Sequence, residues 1–104
     1  MRAILLSAIV TSGLLFGATP SSAGVIERAC LSSERASGNR ALCGCIQNAA
    51  NRTLSGGDQR AAARFFRDPD RAQQVRMSSR ASDRAFWERY RAFGSYAERA
   101  CASS

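Results

Sequence analysis

The chain has 104 residues, 15 basic and eight acidic, for a formal charge of +7. Every basic residue is arginine, and the absence of histidine removes the commonest general base and metal ligand. This length allows one domain and leaves little core, so a stable fold calls for covalent staples.

The first 23 residues have the pattern of an export signal. Arg2 supplies the positive start, and the uncharged stretch from Ala3 to Ala18 carries Leu5, Leu6, Ile9, Val10, Leu14 and Phe16. Pro20 breaks it, and Ser21-Ser22-Ala23 places small residues before a cleavage point at Gly24. Sixteen residues, diluted by serine, threonine and glycine, fall short of the roughly 20 needed to span a bilayer. No second apolar run follows, so a transmembrane segment is not expected in the remaining chain. Residues 24–104 then form one domain of 81 residues, with 14 arginines against eight acids, a balance of +6. Four cysteines in an exported chain this small read as a disulfide framework, and the expected location is periplasmic or secreted.

Beyond Gly24 the composition favours helix throughout. Alanine is abundant, β-branched residues are few and no stretch alternates with period two. A first helix is expected from Val25 to Glu34, with Ile26, Ala29 and Cys30 on one face. Ser37-Gly38-Asn39 is a turn. A second helix spans Arg40 to Leu54, with Leu42, Cys45, Ile46, Ala49, Ala50 and Thr53 at the spacing of a buried face. Ser55-Gly56-Gly57-Asp58 ends it through a left-handed glycine and opens a third helix through a capping box. That helix runs to Arg67 and sets Ala62, Phe65 and Phe66 against Arg60, Arg64 and Arg67. Asp68-Pro69 starts a short fourth helix to Met77. After a serine-rich joint, a fifth helix from Asp83 to Cys101 carries Phe86, Tyr90, Phe93, Ala97, Ala100 and Cys101 as one stripe. The expected fold is all-α, a disulfide-stapled bundle of four to five helices.

Cys43-Gly44-Cys45 invites a thiol-disulfide or metal-handling reading, because such pairs occur in both. Helical register opposes it. Residues i and i+2 stand about 200° apart, so on an intact helix the two sulfurs neither bond each other nor share an ion. They flank the apolar stripe of the second helix, which suits one tether to each neighbouring helix. Cys30–Cys43 with Cys45–Cys101 is preferred by a narrow margin; Cys30–Cys45 with Cys43–Cys101 satisfies the same geometry. No metal and no cofactor is expected.

The arginines supply the candidate binding surface. Arg60, Arg64 and Arg67 share a stripe with no carboxylate between them, and Arg71 and Arg76 follow. Arg84, Arg91 and Arg99 lie on the outer face of the fifth helix, where Glu88 stands at pairing distance in sequence from Arg84 and Arg91. Such a surface suits an anionic envelope surface or an acidic protein. Nucleic acid fits poorly, since the chain is read as exported and its aromatics fall on apolar stripes. Trp87 is expected at the rim of the core, with Arg91 one turn on and able to stack on it. Nothing supports an enzyme: no serine has a basic partner in a motif, no carboxylate pair stands out, and Gly56-Gly57 belongs to a helix junction.

Several runs together resemble a family. They are Ile26-Glu27-Arg28-Ala29-Cys30, Arg40-Ala41-Leu42-Cys43-Gly44-Cys45-Ile46-Gln47, Thr53-Leu54-Ser55-Gly56, Asp58-Gln59-Arg60, Ala63-Arg64-Phe65-Phe66-Arg67-Asp68-Pro69 and Phe86-Trp87. In these the chain resembles short exported, uncharacterised bacterial proteins with four cysteines and helical sequences, some automatically labelled "arginine transporter". The resemblance implies, at most, an accessory to amino-acid transport. A carrier needs several membrane spans, and a cationic amino acid is a poor ligand for a +6 domain. The leading expectation is a non-catalytic binding module with a basic surface.

Overall fold

A computed structural model describes residues 24–34, 36 and 38–104. The expected signal segment, residues 1–23, lies outside the described residues. Five helices and no strand form among the described residues: α1 (Val25–Leu31), α2 (Arg40–Thr53), α3 (Gly56–Arg67), α4 (Pro69–Arg76) and α5 (Ala81–Ala100).

Local chemistry sets most of the boundaries. α1 stops at Leu31, three residues before the expected end, because serine hydroxyls take its last carbonyls. Ser32 Oγ donates to the carbonyls of Arg28 and Ala29, each at 3.1 Å, and Ser33 Oγ donates to that of Cys30 at 2.7 Å. Gly38 takes the one positive φ recorded among the described residues, +78°, and lets the chain reverse into α2. Asn39 then caps α2, its Oδ1 accepting the Leu42 N–H at 3.0 Å. Ser55 Oγ accepts the Asp58 N–H at 3.2 Å and starts α3, the first half of the expected capping box. The reciprocal bond from the Ser55 N–H does not form among the described residues, because the Asp58 carboxylate is taken by Arg89.

The left-handed glycine exit from α2 does not form. Leu54 leaves the helix in an extended conformation, φ −125° and ψ 139°, and buries its side chain. Gly56 and Gly57 are instead the first turn of α3. Asp68 occupies the cap position of α4 without a side-chain capping bond, and Pro69 opens the helix. α5 starts at Ala81, two residues early, after Ser78 Oγ accepts the Arg80 N–H at 3.2 Å.

Packing places α1 against α2 and α3, and α5 against α2, α4 and, more lightly, α3. Ile26 and Ala29 meet Ala49, Ala50, Leu54, Ala62 and Ala63, while Phe65, Phe86 and Phe93 fill the other end. Alanines at most positions of the first group let α1 approach both α2 and α3 closely. Tyr90 is the hub of the aromatic end, with ring centroids 5.0 Å from Phe65, 6.2 Å from Phe86, 5.4 Å from Trp87 and 5.9 Å from Phe93.

Both disulfides follow the preferred pairing. Cys30–Cys43 joins α1 to α2 with Cα atoms 5.5 Å apart, and Cys45–Cys101 joins α2 to the end of α5 at 5.8 Å. α2 is turned from its expected orientation. Cys43 and Gln47 are buried, whereas Leu42, Cys45, Ile46 and Thr53 are half-buried between α2 and solvent. Along α5 the stripe holds except at Ala100, which is exposed.

Candidate functional site

α3 builds the candidate surface by simple periodicity. Positions 60, 64 and 67 recur at i, i+4 and i+7, so their side chains share one face. All three arginines are exposed, while Ala62, Ala63 and Phe65 on the far side are buried and Phe66 is half-buried. No carboxylate pairs with Arg60, Arg64 or Arg67 among the described residues, where the recorded ion pairs are Arg89–Asp58 and Arg91–Glu88. The Arg60 guanidinium folds back over its own first turn: its Nη1 lies 3.7 Å from where a Cβ on Gly56 would stand, and its Nη2 3.8 Å from one on Gly57.

Asp58, two residues before Arg60, is already held. Asp58 accepts from Arg89 Nε at 2.6 Å and Nη2 at 3.1 Å, a forked pair that ties the start of α3 to the middle of α5. That hydrogen bond also raises the Arg89 pKa above its ordinary value; desolvation opposes the rise and the Asp58 charge adds to it. Nothing in the sequence around Arg89 marks it out. Its partner is 31 positions away, and spacing along α5 carries no trace of it.

On α5 the expected pairing is half realised. Arg91 reaches Glu88 at 3.7 Å, both well exposed, whereas Arg84 makes no ion pair among the described residues. Trp87 sits half-buried at the core rim, as expected, but Arg91 does not stack on it. The cation–π contact is made by Arg89, 6.0 Å above the Phe86 ring. The fork to Asp58 places that guanidinium there.

Two concave features flank α3. An apolar groove of about 420 Å³ opens between α2 and α5 and is lined by Leu42, Ile46, Phe66, Tyr90, Phe93 and Ala97 among others. A smaller cleft of about 270 Å³ lies between α3, α4 and α5. Arg64 and Arg71 reach it from α3 and α4, with Asp58 and Asp83, over a floor of Ala61, Phe65, Val75 and Phe86.

The cysteines form no site of their own. Cys43 and Cys45 are each bonded to a different helix, and no cysteine is free among the described residues. No cluster of three or more histidine, cysteine or carboxylate groups that could hold a metal occurs among the described residues. No described helix is long and apolar enough to cross a membrane.

No family model matches the chain, and no curated protein or solved structure matches it. Its own residues are therefore the whole basis for a functional reading.

Proposed function

We propose that this is a non-catalytic binding module, exported to the periplasm or secreted, that docks on an anionic lipid surface through Arg60, Arg64 and Arg67. The observation that carries the reading is the exposed α3 face, where three guanidinium groups have no carboxylate partner among the described residues. Unpaired guanidinium groups are free to make forked contacts with phosphate oxygens. A face laced with salt bridges would have to break them first. Export is supported by the pattern of residues 1–23, and two disulfides fit an oxidising compartment. Nucleic acid has less behind it: Phe65, Phe86 and Phe93 are buried in the core, where they offer no stacking platform.

Vesicle co-sedimentation tests the reading, with phosphatidylglycerol in phosphatidylcholine against phosphatidylcholine alone. Each arginine near an anionic surface contributes about 1 kcal/mol, so an R60Q/R64Q/R67Q variant should lose about two orders of magnitude in partitioning. Binding should also weaken as salt shortens the Debye length below about 10 Å. Equal sedimentation of variant and wild type, with helicity intact, would remove the stripe from function.

A further inference from the structure

Charge bookkeeping in the cleft between α3, α4 and α5 leaves a specific pattern. Asp58, one of its two carboxylates, is satisfied by the Arg89 fork. Asp83, in the first turn of α5 and half-buried, makes no ion pair or side-chain hydrogen bond among the described residues, and neither do Arg64 and Arg71. The cleft therefore presents two open guanidinium groups and one open carboxylate over an apolar floor in which Phe65 and Phe86 are buried. A plain anion would use the arginines but face repulsion from Asp83. A plain cation would meet the reverse.

From this pattern we infer that the cleft is a subsite for the phosphoethanolamine head group of a phospholipid: Arg64 and Arg71 take the phosphate and Asp83 takes the primary ammonium. The ammonium carries three N–H donors, which a carboxylate can accept. A trimethylammonium group has none, so phosphatidylcholine is discriminated although it has the same net charge. The ethylene bridge between phosphate and ammonium rests on the phenylalanine floor. At about 270 Å³ the cleft is near the lower end of small-molecule sites, room for a head group and not for an acyl chain. Arg64 belongs to both the stripe and the cleft, so the inference rests on the proposed lipid docking and names one head group within it.

Vesicles with a fixed minor fraction of phosphatidylglycerol provide the test, the remainder being either phosphatidylcholine or phosphatidylcholine partly replaced by phosphatidylethanolamine. The exchange leaves surface charge unchanged, so a response to it reports the ammonium. Phosphatidylethanolamine should tighten wild-type binding about two- to fivefold, the range for one partly exposed ionic contact. Asp83→Asn should abolish that increment and keep the response to phosphatidylglycerol. Arg71→Gln, on the exposed side of α4, should weaken the increment too, and it serves if Asp83→Asn fails to fold by circular dichroism. In a second arm, soluble O-phosphoethanolamine should compete the increment away without displacing the rest. Soluble ligand that binds and is lost in Asp83→Asn, with no increment on vesicles, would keep the cleft chemistry and make a free phosphoethanolamine compound its source. Absence of both responses, or an increment that survives Asp83→Asn, overturns the cleft. Loss of phosphatidylglycerol dependence in wild type overturns the stripe instead.

Discussion

Gln47, buried on α2, holds the first turn of α1: its Oε1 accepts the Glu27 backbone N–H at 2.9 Å. That N–H is one of the orphan donors at a helix start. The Gln47 Nε2 donates to Asn51 Oδ1 and Gln59 Oε1, each at 2.9 Å, so the buried amide is satisfied on both sides. Gly24 lies against the same amide with no room to spare. A Cβ there would stand 2.3 Å from Gln47 Cδ and Oε1.

Substitution at either residue should therefore be costly. Gly24→Ala forces the Gln47 amide to move and so breaks bonds to Glu27, Asn51 and Gln59. Gln47→Ala leaves those groups unpaired and opens a cavity. Each should lower stability by about 1–3 kcal/mol in denaturant unfolding. A Gly24→Ala protein as stable as wild type would show that the amide is not locked.

Reducing both disulfides should unfold the domain or nearly so. In the loop-entropy account, closing about 14 residues contributes about 3 kcal/mol and about 57 residues about 4. Set against a total of about 5–15 kcal/mol for a domain, either loss is large. Thermal melts followed by helical circular dichroism, with and without reductant, decide it. An unchanged melt would mean that the small core suffices alone.

The two recorded ion pairs should behave differently. Arg89→Gln breaks a forked bond to an Asp58 side chain that is only 17% exposed, and it also removes the contact with Phe86. Arg91→Gln loses a single 3.7 Å contact between side chains 65% and 73% exposed. The first should lower the melting temperature measurably and the second should leave it unchanged. A double-mutant cycle over Arg89 and Asp58 should show coupling; strict additivity of the single changes would contradict the link between α3 and α5.

Stability should fall in alkali because of Tyr90. Burial raises its phenol above the ordinary value of 10.0. The unfolded chain thus gives up this proton first, at about pH 10. The contribution is whole below that pH and is lost as pH rises toward the folded value. Tyr90→Phe should flatten the alkaline decline in melting temperature. If wild type and variant fall in parallel, the phenol does not titrate as its burial requires.

Periodicity and local capping are chain-neighbour effects, which is why so much of the helix plan is legible in the sequence. Ser55 three residues before Asp58, proline at the start of α4, and the i, i+4, i+7 spacing of Arg60, Arg64 and Arg67 depend on nothing distant. The same holds for the separation of Cys43 from Cys45 around α2. The sequence separates the two disulfide pairings only marginally, because both edges of one helix are equivalent until its neighbours have positions. Tertiary structure also decided which face of α2 turns inward, bringing Cys43 and Gln47 into the core and leaving Leu42 and Ile46 half open. Gln47 meets Glu27 across 20 residues and Asp58 meets Arg89 across 31. A polar side chain buried by another helix looks the same in sequence as one left in water, since its partner is selected by packing and not by spacing. The cleft of Arg64, Arg71 and Asp83 belongs to the same class: three helices set its charges together, and no one of them carries the pattern.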